Sequence, residues 1–193
     1  MNVAETERRR PAATRILQAA RDLVARGGAA EVSMGDVADV AGVSKALVHY
    51  HFHDKDSLLC ALVESVGAGV LRRAREAFGS EMSGHALDDY WTSVQHELRE
   101  GDLRILGALA ECDSERVREL SRRIAVQRRE VAEGHVSAIY ERLDLRPRVP
   151  PALIAETVVA FTDGLAAAYA LDPERNPRPA FDVLWLALLT LTE

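Results

Sequence analysis

Between Ser44 and Asp56 the chain reads Ser-Lys-Ala-Leu-Val-His-Tyr-His-Phe-His-Asp-Lys-Asp, which sets three of its six histidines beside a lysine and a tyrosine. Two chemistries suit these residue types. Lys45 and Tyr50 suit a DNA groove, the ammonium meeting guanine acceptors or a phosphate and the phenol binding phosphate and packing on sugar. His49, His51, His53 and Asp54 suit a metal-dependent hydrolase, provided alternate residues face one way, as on a strand. The neighbouring residues decide between them. Ser44 is an N-cap residue, and Val48 and Phe52, four apart, make the stretch helical. On a helix Val48, His51 and Phe52 share the packing side, while Ala46, His49, Tyr50 and, at the edge, Leu47 share the other. That phase separates His51 from His49 and His53 and favours DNA contact over metal binding. The chain carries no Gly-rich phosphate loop, no strand-turn-helix nucleophile elbow and no paired carboxylates with an obvious pocket, so no enzyme is expected.

The presenting helix needs a partner that holds it, and residues 32–58 supply one. Val37, Ala38 and Ala41 line one side of a preceding short helix that Ser33 caps. Gly42 is placed where a reversing backbone needs positive φ, Ala38 is small enough for two helices to cross, and Val43 seals the turn. The result is a helix-turn-helix. In the Ala-Gly-Val-Ser-Lys turn at 41–45, the His51-Phe52 pair and the Asp54-Lys55-Asp56-Ser57-Leu58-Leu59 start of the next helix, the sequence resembles the TetR family of one-component transcriptional regulators. The motif covers about a quarter of the chain. The resemblance implies DNA contacts at Ser33, Gly35, Ser44, Lys45, Ala46, Leu47, His49, Tyr50 and Lys55. Two of these depart from the family pattern: Leu47 stands where Thr is usual, and His49 where a phosphate-binding Tyr is usual. Leu47 loses a hydrogen bond but suits a thymine methyl, and His49 would hold phosphate better as imidazolium than as imidazole.

The chain's net charge is −6, but residues 1–59 carry eight basic and eight acidic side chains, so the whole deficit falls on residues 60–193. The acidic part is expected to stay away from phosphates, and the neutral part to bind DNA modestly unless two copies act together. Cys60 and Cys112 sit in apolar helical patterns without metal-ligand spacing and read as reduced core residues. Glu5, Glu7 and Arg8-Arg9-Arg10 occupy the place of a signal peptide's apolar region, and the longest uninterrupted apolar run, Val183 to Leu189, is far short of the roughly 20 residues that span a bilayer. A cytoplasmic protein with no membrane partner and no cofactor is expected.

In chain order, residues 1–13 read as a flexible arm, 14–59 as the DNA-binding domain and 60–193 as a second domain. Thr14 is expected to cap a first helix through Ile16, Leu17, Ala20, Leu23 and Val24, ended by Gly27-Gly28. A helix starting at Asp54 would be shared by both domains. After Gly79-Ser80 the pattern is helical, with helices through Tyr90 and Leu98, through Leu103 and Cys112, from Asp113 or Ser114 to Leu143, and over 152–171 and 180–191. The chain is therefore all-α: an N-terminal three-helix domain followed by a helical ligand-binding and dimerisation domain. The resemblance implies a homodimer built from the last two helices as a four-helix bundle, with Phe161, Leu165, Ala168, Leu184, Trp185 and Leu188 at the interface. It also implies a pocket for a small-molecule effector, for which Trp91, Gln95, His96, Glu111, Cys112, His135, Tyr140 and Phe161 are the polar or aromatic candidates. Few aromatics and no basic cluster lean towards a neutral or cationic apolar effector over a phosphorylated one. The function so implied is a ligand-responsive regulator, a repressor in the family's usual manner, that binds palindromic double-stranded DNA and is released by its effector. The alternative is an architectural DNA-binding protein without a ligand.

Overall fold

The computed structural model describes residues 11–79 and 86–192. Among them are nine α-helices: α1 (Ala12–Gly27), α2 (Met34–Ala41), α3 (Lys45–His51), α4 (Lys55–Gly79), α5 (Ala86–Glu100), α6 (Asp102–Ala110), α7 (Glu115–Arg142), α8 (Pro151–Leu171) and α9 (Arg178–Leu189). The described residues form no β-strand beyond one isolated bridge between Pro147 and Thr192. The all-α expectation holds. Most of the expected arm, residues 1–10, lies outside the described residues.

The chain forms two compact units. The first comprises the described residues up to Val66 together with Ile105–Arg122; the second comprises Gly67–Arg104 and Arg123 onwards. Helices α4, α6 and α7 each therefore give residues to both. In the first unit α1 packs on α2 and α3, burying Ile16, Ala20 and Val24 with Val37, Ala38 and Val48, while Leu58, Leu59 and Leu62 of α4 and Leu109 and Val117 of the later segment are also buried. Ser114 joins that segment to α4 by donating to the Asp56 carboxylate at 2.7 Å, and its oxygen receives the Val117 amide at 3.4 Å as the cap of α7.

Local hydrogen bonding explains the helix limits. Thr14 does not cap α1. Proline at position 11, which lacks an amide proton and is suited to a helix start, holds the first turn with its carbonyl, accepting from the Thr14 and Arg15 amides at 3.0 and 3.2 Å. At the other end of α2, Gly42 has φ 62°, and the Val43 amide reaches back to the Ala38 carbonyl at 3.0 Å, which closes the helix and turns the chain into α3. Gly42→Val is expected to lower stability by about 1–3 kcal/mol, because a β-branched side chain is strained at this φ. Chemical denaturation would show the loss, and an unchanged midpoint would refute the assignment of the turn to this backbone state.

The second unit is built on long apolar helices. From α8 it buries Ile154, Ala155, Val158, Leu165 and Ala166, and from α9 Phe181, Trp185 and Leu188. The Tyr140 hydroxyl donates to the Leu188 carbonyl at 2.7 Å. Gly67 of α4 sits close against α7: a Cβ there would lie 2.8 Å from Ile124 Cδ1. Leu143, expected as the last residue of the long helix, is exposed, since α7 stops at Arg142 and Asp144 takes a left-handed φ of 53°. Counting only uninterrupted apolar residues understated α8, which is the one described helix long and apolar enough to cross a membrane by length and composition, at mean hydropathy 1.3.

Candidate nucleic-acid interface and ligand cavity

The short helix α3 is fixed at both ends and presents its middle. The Ser44 hydroxyl accepts the Leu47 amide at 3.2 Å, and Val48 is fully buried, so the phase of the helix is set. Lys45, Ala46, His49 and Tyr50 are exposed and Leu47 is half-buried at their margin, as the helical wheel requires. Tyr50 is 77% exposed, far beyond what an aromatic side chain gains from solvent. The wheel was wrong for His51, which is exposed: α3 ends at that residue, and the chain turns at Phe52 (φ −137°, ψ 84°), which inserts only partly. His51 instead meets Tyr50 edge to face, with ring centroids 5.3 Å apart.

The supporting residues are held by short-range bonds. Ser33 accepts the Asp36 amide at 3.1 Å and donates to the Asp36 carboxylate at 2.6 Å, which fixes the start of α2 with Gly35 in its first turn. Asp54 accepts the Ser57 amide at 2.6 Å; that bond holds its carboxyl below the usual range and caps α4. Lys55 lies at the margin of the surface and donates to the Ala30 carbonyl at 2.9 Å, tying α4 to the loop after α1. His49 Nδ1 lies 3.1 Å from the His53 carbonyl. A ring donating there turns Nε2 outwards, and only its imidazolium form offers a phosphate a donor. The histidines do not converge, and among the described residues no three His, Cys, Asp or Glu side chains gather as a metal site would require.

Within the second unit lies a cavity of about 70 Å³, open at one side. Val70, Leu71 and Ala74 of α4, Val94 of α5, Val131 and Ala132 of α7 and Val159 of α8 make its apolar walls, with Tyr90, Ser93, Glu97, Arg128, His135 and Thr162 between them. Of the eight candidates read from the sequence, His135 alone lines it. Trp91 is turned into an aromatic cluster, 5.0 Å from Phe181 and under the Arg178 guanidinium; Tyr140 is occupied with Leu188. Gln95 and Phe161 are half-buried off the cavity, His96 is exposed, and Glu111 and Cys112 belong to the first unit.

Electrostatics in the cavity wall is closed on itself. Arg73 Nε and Nη2 meet the Glu97 carboxylate at 2.5 and 3.0 Å, and Nη2 meets Asp102 at 2.6 Å; these bonds, against the cost of burial, raise the guanidinium above its usual pKa. Arg128 pairs with Asp163 at 2.6 and 3.2 Å. Burial pushes His135 down to about 4, against a backbone hydrogen bond to Ala74. Burial likewise pushes Tyr90 up to about 12, against a hydrogen bond with Thr162. Of the proposed interface residues, Leu165, Trp185 and Leu188 are buried within the protomer, whereas Ala168 is exposed and Phe161 and Leu184 are half-buried. Leu153, Leu171, Val183 and Leu186 are exposed apolar side chains on the same two helices.

A short recognition-type helix clamped to a partner by an αL glycine turn, on an otherwise helical chain, defines a helix-turn-helix protein. Residues 16–62 match the sequence model of the bacterial regulatory proteins of the tetR family. That match covers about a quarter of the chain, which over those residues is similar to the TetR family of transcriptional regulators. The HTH-type transcriptional repressor Rv3405c of Mycobacterium tuberculosis is 33% identical over 93 residues, 48% of this chain and 50% of that protein; the match thus spans half the relative's length. In fold the chain is similar to a transcriptional regulator from Rhodococcus sp. Rha1, with a TM-score of 0.75 at 21% identity over 93% of this chain and 97% of the other. It is also similar to FadR from Bacillus subtilis, solved with stearoyl-CoA, with a TM-score of 0.71 at 14% identity over 91% and 97%.

Proposed function

We propose that this chain is a ligand-responsive repressor that binds a two-fold-symmetric operator as a homodimer in the cytoplasm and is released by a small molecule. The observation that carries the proposal is the pairing, in one chain, of an outward-facing Lys45, His49 and Tyr50 on a clamped helix with an apolar cavity in a separate helical unit. An architectural DNA-binding protein has no use for the cavity. The exposed faces of α8 and α9, with Leu153, Leu171, Val183 and Leu186, suit the packing of two copies. The repressor name of the mycobacterial relative and the ligand of B. subtilis FadR support the reading. The chemistry is binding without catalysis: a ligand releases DNA by its differential affinity for the free and DNA-bound shapes.

Selection from a random duplex library at about 0.1 M salt, followed by sequencing, tests this directly. The expected product is an inverted repeat with half-sites about one helical turn apart. On that operator Lys45→Ala and Tyr50→Ala are each expected to weaken binding roughly tenfold, Lys45→Ala also flattening the salt dependence if it holds a phosphate. Recovery of no motif, or full affinity in both variants, would refute the proposal.

A further inference from the structure

The cavity also specifies what kind of molecule it takes. We propose that the effector is uncharged and compact, an apolar ring-sized body whose polarity is confined to a hydroxyl-class group. This deepens the regulatory reading and rests on it for the claim that the occupant is an effector.

Two ionic side chains, Glu97 and Arg128, stand in the wall. Glu97 is gripped through both oxygens by Arg73, and Arg128 by both oxygens of Asp163. Each charge has its counter-charge inside the protein, across helices that are already packed. An anionic or cationic ligand would have to break one of these bidentate pairs or sit beside them without a partner in a largely apolar space, and either alternative costs more than an uncharged ligand pays. The remaining polar groups, Tyr90, Ser93, His135 and Thr162, are hydrogen-bonding and not ionic. Burial holds His135 neutral down to about pH 4 and Tyr90 neutral up to about pH 12, so neither adds a charge to the cavity near pH 7. Thr162 donates to the Val158 carbonyl at 2.7 Å and is hydrogen-bonded to Tyr90, so the wall's hydroxyls hold one another as neutral groups.

Size narrows the class. A volume of about 70 Å³ is well below the roughly 150 Å³ of an apolar protein cavity that holds benzene, so a single ring, partly seated in the open mouth, is the largest body that enters without a change of wall. Tyr90 provides a reporter, because its ring lines the cavity and lies 5.8 Å from that of Trp185.

The test uses the full chain and three probes that share one ring: benzyl alcohol, benzoate and benzylamine, titrated at pH 7 while tryptophan emission is followed. Benzyl alcohol is expected to bind saturably and at least tenfold more tightly than either ion. Filling the cavity by Ala132→Phe, or from another helix by Val159→Phe, is expected to abolish its binding in whichever variant keeps the wild-type circular dichroism. A smaller preference for the alcohol, tighter binding of either ion, no saturable binding by any probe, or undiminished binding in a folded filled variant would overturn the proposal. Operator selection on the same preparations separates the two readings. A protein that selects an operator but prefers an ion loses only the effector class, and one that selects no DNA fails as a regulator whatever it binds.

Discussion

Arg73→Met is expected to lower the unfolding free energy by about 3–5 kcal/mol, the cost of removing one partner from a buried ion-pair network. The guanidinium, on α4, reaches Glu97 of α5 and Asp102 at the start of α6, and the two carboxylate side chains keep only 9% and 7% of their exposure. A methionine fills much of the space but leaves Glu97 in the core without the bidentate donor that makes its burial tolerable. Urea denaturation gives the loss. The double variant Arg73→Met/Glu97→Leu is expected to recover more than half of it, because the charge that needed compensation has gone with its partner. A single-variant loss below about 1 kcal/mol would show that solvent reaches Glu97 freely and that the network is a surface feature.

The second large effect is a pH dependence centred on His135. Its folded pKa of about 4 lies below the value of about 6.5 for an unfolded histidine, so at acid pH the unfolded chain binds a proton that the folded one excludes. The sign follows from that excess. Stability from this group is fully present above pH 6.5 and is lost progressively as pH falls towards 4, reaching roughly 3 kcal/mol at the end of the window. Carboxylates titrate in the lower part of the same range, so the measurement is a difference: denaturation midpoints at pH 7, 5.5 and 4.5 for wild type and for His135→Gln, which has no proton to gain. The wild type is expected to fall more steeply. Parallel profiles would mean that the imidazole is solvated in the folded state.

The two units differ in how much could be read from residues alone. The helix-turn-helix was legible because each device acts within five residues: Ser33 on Asp36, Gly42 and Val43 on Ala38 and Asp39, Ser44 on Leu47, Asp54 on Ser57. His51 was misplaced because a seven-residue helix ends before a wheel drawn through Phe52 applies. In the second unit residue type was a poor guide. Trp91 and Tyr90 are neighbours in sequence and both pack on Phe181, yet only Tyr90 also reaches the cavity. Nothing local marks Glu97 and Arg128 as paired, since their partners Arg73 and Asp163 are 24 and 35 residues away. Trp185 and Leu188, which the resemblance places at a dimer interface, are buried within the protomer, and a helix apolar over most of its girth carries no record of which face turns inwards. Glu111 and Cys112 were placed with the wrong neighbours because the chain returns to the first unit between residues 105 and 122.

That return has a consequence for how the protein is made. Translation delivers α1 to α3 and the start of α4 first, but the side of α4 that carries Asp56 and Ser57 waits for Ser114 and Arg116, which are synthesised almost 60 residues later. The unit that carries the helix-turn-helix is therefore a discontinuous one, finished only after most of α5 and α6 have left the ribosome. Its nascent form exposes Leu58, Leu59 and Leu62 in the interval. A gene fragment cut after the helix-turn-helix would fix the protein permanently in that unfinished condition, whereas in the intact chain the first unit is complete by Arg122 and the cavity only once Val159 and Thr162 have followed.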